Sequence, residues 1–256
     1  MSKGKVAIVA GTGIYDIPGV ELKEQIVETP YGQALVHLGQ GENDHLVFLT
    51  RHGPEHTTPP HMVKYRANIK ALQQLGVNRV LAAYAVGSIN KEIPPLGLAL
   101  LNDFIDFTNG RPLSFFDGGD SGLAHTDMSA PYCPILNKRL SALAPQFDID
   151  LFENATYVCF NGPRFETPAE IRMSAMLGGD VVGMTGATEV ILANELNLHF
   201  AAIALSINWA VGIEPTLTIV SREEREGVRR KLLDLFLAVA NEEWEGGSRR
   251  ETAVSH

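Results

Sequence analysis

Thr50-Arg51-His52-Gly53-Pro54-Glu55-His56 sets a permanent cation and an imidazole directly behind the apolar run Leu46 to Leu49. A guanidinium and an imidazole at a strand end are suited to holding an anion in an open α/β sheet. The chain opens in a comparable way, with Val6 to Ala10 running into Gly11-Thr12-Gly13. A glycine turn of that kind lets backbone N–H groups come close to an anion. Gly162-Pro163-Arg164-Phe165-Glu166-Thr167 and Gly183-Met184-Thr185-Gly186 follow two further apolar runs. Glycine beside hydroxyl or charged groups after several strands describes a phosphate-using site assembled from loops.

The elements that must position these loops are legible as apolar runs. Strands are expected at Val6 to Ala10, Leu46 to Thr50, Val80 to Tyr84, Leu98 to Leu101, Ala155 to Phe160, Val181 to Met184 and Ala201 to Ile207. Their near-continuous hydrophobicity suits strands buried on both faces. Met62, Tyr65, Ile69 and Leu72 keep helical spacing, as do Val228, Leu232, Leu235 and Val239. Ser221 with Glu223 and Glu224 starts the last helix, since a hydroxyl cap and early acids suit the unpaired N–H groups and the dipole. The stretch from Asn109 to Pro134, rich in Gly, Asp, Ser and aromatics, is either a lid over an apolar substrate group or a surface excursion.

The 256 residues, 45% hydrophobic and 20% charged, suffice for one α/β domain over residues 1–245, with a flexible tail at 246–256. The formal net charge of -9 opposes a nucleic-acid surface and favours a small-molecule partner. Cys133 and Cys159 lack metal-ligand spacing and read as ordinary reduced thiols. Neither a membrane span nor a signal peptide is seen, which makes the cytoplasm the expected location. His52 and His56 have a four-residue spacing, but Pro54 and Pro59-Pro60 interrupt the helix that would align them, so no metal is expected. Gly11-Thr12-Gly13 is also a truncated dinucleotide fingerprint, with Asp16 where the third glycine belongs.

The ordered set Gly11-Thr12-Gly13, Thr29-Pro30-Tyr31-Gly32, Arg51-His52-Gly53 with His56, Tyr65-Arg66-Ala67-Asn68-Ile69, Gly87-Ser88, Gly162 to Thr167 and Gly183-Met184-Thr185 resembles the purine nucleoside phosphorylase superfamily. Within it, the chain is most similar to the methylthioadenosine and methylthioinosine phosphorylase branch. The resemblance implies a single α/β domain around a mixed, partly barrel-like sheet flanked by helices, commonly assembled as a homotrimer. It implies phosphorolysis of a purine nucleoside to free base and a sugar 1-phosphate, in purine and methylthio salvage, with inorganic phosphate as co-substrate and no cofactor.

The same resemblance assigns phosphate to Thr12, Arg51, His52 and Thr185, with His52 also catalytic. Taken alone, Arg51 reads as a surface ion pair and His52 as a core imidazole; their order beside the glycine turns favours the anion site. Met184 is expected on the ribose or in the core, and His125 near the five-prime group or in an ordinary loop. Asn208 stands where adenine-specific relatives carry aspartate, and Ala210 replaces a second one. One amide can donate to a six-position oxygen and accept from a protonated ring nitrogen, which assigns Asn208 to base recognition and catalysis and favours S-methyl-5'-thioinosine. Methylthioadenosine, a general 6-oxopurine nucleoside, and a catalytically weak nucleoside-binding role are the alternatives. Tyr84, Lys64 and Thr188 depart from the family pattern, and Tyr84 stands near the phosphate positions.

Overall fold

The computed structural model describes residues 4–11, 19–53 and 57–244. The strands of this region are β1 (Lys5–Ala10), β2 (Leu22–Thr29), β3 (Gly32–Gly39), β4 (Leu46–Thr50), β5 (Val77–Ser88), β6 (Leu98–Asp106), β7 (Leu151–Cys159), β8 (Val181–Gly183) and β9 (His199–Trp209). The α-helices are α1 (Tyr65–Gln74), α2 (Pro134–Leu143), α3 (Pro168–Met176), α4 (Gly186–Glu195) and α5 (Arg222–Asn241). Thr12, Gly13, His56 and the expected tail at 246–256 lie outside the described residues.

All strands join one sheet in the order β2-β3-β4-β1-β5-β8-β7-β6-β9, and β9 returns to pair with β5. That pairing closes a ring from β5 through β8, β7, β6 and β9, a barrel with an open wing of four further strands. The chain is thus α/β with a mixed, partly barrel-like sheet, as the resemblance implied.

The continuous apolar runs have a simple cause. β1 lies between parallel partners β4 and β5, and both of its faces are covered. Ala7, Val9, Val47 and Leu49 enter one core with Ile69 and Leu72 of α1 and Val190 of α4. Val6, Ile8, Leu46 and Phe48 enter the other with Leu136 of α2 and Leu235, Phe236 and Val239 of α5. Burial of such side chains contributes about 1.5–3 kcal/mol each, so alternate residues of a single strand stabilise two separate layers.

α5 begins as expected: Ser221 accepts from the Glu224 N–H at 3.2 Å, and Glu224 accepts from the Ser221 N–H at 2.8 Å. The same reciprocal cap starts α3, through Thr167 and Glu170. In the stretch from Asn109 to Pro134, a single 3-10 turn at Gly119–Ser121 is the helical element before Pro134 opens α2. Lys64 is exposed. No helix of the described residues is long and apolar enough to cross a membrane.

Candidate active site

Parallel β4, β1, β5 and β9 end on the same side of the sheet, and a cavity of ≈ 910 Å³ opens there. Ligands bind at that location in open α/β sheets because loops diverge beyond the carboxyl ends of the strands. Arg51, His52, Met184, Thr185 and Asn208 all line this one cavity. His125 is exposed and does not line it.

Arg51 is held at the end of β4 by its own N–H, which donates to the Ala10 carbonyl at 2.9 Å. Its guanidinium is buried. Nε donates to Glu189 Oε1 at 2.5 Å, Nη2 to Glu189 Oε2 at 2.8 Å and Nη1 to the Ala83 carbonyl at 3.3 Å. The Tyr84 ring lies beneath the guanidinium, 4.5 Å from centroid to Cζ, and the Tyr84 hydroxyl donates to Glu189 Oε2 at 2.8 Å. Burial alone would lower the proton affinity of Arg51, but the charge and hydrogen bonds of Glu189 carry it above the ordinary arginine value. Burial, reinforced by Glu189, likewise raises the Tyr84 phenol. Tyr84 therefore packs below the cation as a neutral donor, and the charge of Arg51 is balanced inside the protein.

His52 Nδ1 lies 2.8 Å from the Thr58 carbonyl. A carbonyl only accepts, so Nδ1 carries the proton, and the Thr58 N–H returns a bond to the His52 carbonyl at 3.1 Å. These bonds fix the imidazole orientation at the cavity wall.

Thr185 stands at the N-terminus of α4, and its hydroxyl makes no capping bond. The amides of Thr185 and Gly186 donate to the Tyr157 hydroxyl at 3.2 and 3.3 Å. Tyr157 thus satisfies two N–H groups that the helix leaves unpaired. Its phenol, raised by burial, stays neutral. Cys159, at the end of β7, is pushed up to about 12 by burial and is an inert thiol.

Met184 is fixed through its backbone: Arg111 Nη2 donates to the Met184 carbonyl at 2.8 Å and to that of Asn161 at 2.7 Å. Arg111 Nη1 also reaches the buried Thr188 hydroxyl at 3.2 Å. Gly162 has φ 62°, and a β-carbon there would fall 2.5 Å from Met184 Sδ. A glycine is required for the two loops to approach so closely.

Asn208 owes its position to a register shift. Val86 pairs with Ser206 and Gly87 with Asn208, which leaves Ile207 as an extra residue in β9. Such a bulge bends the strand and re-aims the next side chain. Asn208 is buried, its Nδ2 donates to the Trp209 carbonyl at 2.7 Å, and Gly87 gives it room: a β-carbon at 87 would lie 3.0 Å from Nδ2.

Sequence reasoning did not single out Glu166. It lines the cavity and is 5% exposed, and its Oε1 has no hydrogen-bond partner. Burial, then the charge of Glu170, raises its carboxyl above the ordinary value. A carboxylate immediately before the Thr167 cap and its Pro168 was the available signal. Arg222, Arg225 and Arg229 of α5 also line the cavity, and sequence reasoning did not single them out either.

Residues 5–241 match the family model described as the phosphorylase superfamily. The chain is 49% identical to a protein named probable 6-oxopurine nucleoside phosphorylase from Moorella thermoacetica, over 83% of this chain and 82% of that one. It is 41% identical to a protein named probable S-methyl-5'-thioinosine phosphorylase from Methanopyrus kandleri, over 91% and 90%. Its fold superposes with a TM-score of 0.84 on a methylthioadenosine phosphorylase from an antarctic soil metagenomic library, at 30% identity, covering 98% of this chain and 92% of that one. With the family model spanning nearly every described element, and Arg51, His52, Met184, Thr185 and Asn208 gathered around one cavity, the chain belongs to the phosphorylase superfamily, among its purine nucleoside phosphorylases.

Proposed function

We propose that the protein cleaves 6-oxopurine nucleosides with inorganic phosphate, releasing the free base and a pentose 1-phosphate. The observation that carries this reading is the pairing of two buried polar side chains in one cavity, Glu166 with an unpartnered carboxyl oxygen and Asn208. Hypoxanthine and guanine present a protonated N1 and an oxygen at position six. Glu166 accepts the N1 proton, and the second Nδ2 hydrogen of Asn208 donates to the oxygen. Adenine offers a lone pair at N1, which a carboxylate repels.

In the reaction a phosphate oxygen bonds to the anomeric carbon as its bond to the purine nitrogen breaks. The bonding pair enters the purine, which takes up a proton. Asn208 and Glu166 stabilise the charge that develops in the base, and the phosphate anion faces the cation-like sugar. The remaining Nη hydrogens of Arg51, with His52, Thr185 and Thr12, orient the phosphate, and Met184 packs on the ribose. No metal or organic cofactor enters these steps. The active form is a homotrimer, tested by light scattering.

S-methyl-5'-thioinosine is the second reading. It keeps the same base contacts, and the apolar side chains of Leu205, Ile207 and Leu232 in the cavity lining would pack on a methylthio group. Base release from inosine, methylthioinosine, adenosine and methylthioadenosine, each with and without phosphate, tests both. Phosphate-dependent release of hypoxanthine supports the proposal, and the ratio of the two hypoxanthine substrates selects the five-prime group. Preference for either adenine nucleoside overturns the base assignment. No turnover with any of them leaves a nucleoside-binding relative.

A further inference from the structure

The charge in this cavity is not where the strand-end motif suggests. Arg51 is balanced by Glu189, whereas three further arginines of α5 line the same cavity. Arg222, Arg225 and Arg229 are spaced by three and four residues, which stacks them on one face of the helix. Arg222 and Arg225 form no ion pair among the described residues. Arg225 is half-buried and donates Nε to the Ser221 carbonyl at 3.1 Å. Arg229 contacts Glu226 at 2.7 Å.

Two features make this cluster unfavourable without a ligand. Arg222, in the first turn of α5, sits at the positive end of its dipole, where acids are the stabilising choice. Burial, then Arg229 and Arg222, lowers the proton affinity of Arg225, so the three side chains strain against one another. The nearby acids offset this in part. Glu224 is committed to the Ser221 cap and Glu226 to Arg229, while Glu223 and Glu224 both lie in the first turn. An anion entering the cavity would meet the guanidiniums of Arg222 and Arg225, which form no ion pair among the described residues, beside the partly offset charge of Arg229.

We propose that Arg222, Arg225 and Arg229 form a phosphoryl-anion subsite at the α5 end of the cavity, which takes the 5'-phosphate of a 6-oxopurine nucleoside monophosphate. The assignment rests on the reading of the cavity as a nucleoside site. A phosphoryl group is the fitting chemistry because its several oxygens can accept from more than one guanidinium at once. Free inorganic phosphate offers the same chemistry, and the experiment separates the two sources.

Isothermal titration of inosine, inosine 5'-monophosphate and inorganic phosphate, each alone, into the wild-type protein and the Arg222→Ser/Arg225→Ser variant is the test. The nucleotide is expected to bind the wild type about tenfold more tightly than inosine, and the variant is expected to lose that ratio. Arg222→Lys/Arg225→Lys should retain part of it, and equal melting temperatures establish that all three proteins are folded. A nucleotide-to-inosine ratio near one in the wild type, or one unchanged in the serine variant, overturns the nucleotide assignment. Phosphate binding weakened in that variant without any nucleotide preference keeps the anion subsite with free phosphate as its occupant. Phosphate binding unaffected as well overturns the subsite. Failure of both inosine and its monophosphate to bind overturns the nucleoside reading of the cavity, and the nucleotide assignment with it.

Discussion

Arg51 and Glu189, 138 residues apart in the chain, lie side by side with Nε 2.5 Å from Oε1 and Nη2 2.8 Å from Oε2. A bidentate pair of this kind fixes both the position and the plane of the guanidinium. It joins the end of β4 to α4 and does so with both side chains almost wholly out of water. The cation that a strand-end motif offers for anion binding is thereby also a structural tie. A phosphate bound there as proposed would meet its hydrogen atoms more than its net charge.

Glu189→Gln keeps the shape of the side chain and removes its charge, leaving the Arg51 guanidinium buried without a counter-ion. Breaking one side of a buried pair costs about 3–5 kcal/mol. Urea denaturation is expected to show a loss of about 3 kcal/mol or more, and a loss under about 1 kcal/mol would mean that solvent already reaches the pair.

Glu166→Gln should lower kcat/KM for inosine roughly 30-fold, the equivalent of about 2 kcal/mol for a hydrogen bond to a charged acceptor. The proposed contact to N1 requires the carboxylate. Because burial raises its carboxyl above the ordinary value of 4.5, KM for inosine should climb as pH falls through that raised value, an acid limb the Gln variant lacks. For stability the sign is opposite. A folded-state carboxyl held above its unfolded value stabilises the fold at low pH and loses that contribution as pH rises through the folded value. The variant should therefore melt no lower than wild type near neutral pH. An unchanged KM profile in steady-state assays would remove Glu166 from the base.

Asn208→Asp replaces a donor with an acceptor at the base. Inosine turnover should fall at least about tenfold, and the ratio of adenosine to inosine turnover should rise, since a misplaced polar group in a buried site discriminates strongly. Equal ratios in the two proteins would make Asn208 a structural residue of the β9 bulge.

Glu170 tests the α3 cap separately from catalysis. Its bond from Arg164, then that from the Thr167 N–H, depresses the carboxyl from 4.5 to about 2. A depressed carboxyl stabilises the fold above its unfolded value and loses that contribution as pH falls from about 4.5 to about 2. Thermal melts of Glu170→Gln should lie below wild type at neutral pH and converge with it near pH 2. A constant offset across that range would assign the effect to packing.

The strands buried on both faces were legible because their apolar runs leave little room for another reading. β4 matches the run Leu46 to Thr50 residue for residue. The β2–β3 hairpin was not, since β2 is an edge strand with Val27 its one buried residue. Its turn, Thr29-Pro30-Tyr31-Gly32, was noted only as a family feature, although the Thr29 hydroxyl closes it on the Gly32 carbonyl at 2.6 Å. α4 is buried nearly all round, so its sequence carries no amphipathic period. At the cavity, motif order indicated Arg51, His52, Met184, Thr185 and Asn208. Glu166 escaped because what distinguishes it is an unpartnered oxygen in a buried place, a property of the fold. Arg111 escaped for a similar reason: it lies in an irregular stretch, and its partners come from three distant parts of the chain.

Closure of the ring has a consequence for how the chain can change length. Because β9 pairs with β5 as well as β6, its neighbours on both edges hold Asn208 opposite Gly87 and Leu98 opposite Leu205. One residue inserted into β9 cannot be absorbed by sliding at a free edge; it must either bulge locally, as Ile207 does, or shift every pairing around the ring. Lengthening free of either change is confined to the irregular stretches outside the ring, such as residues 107–133. The distance between β9, which carries Asn208, and β5, which carries Gly87, is thus a fixed dimension of the barrel, insulated from variation elsewhere in the surface loops.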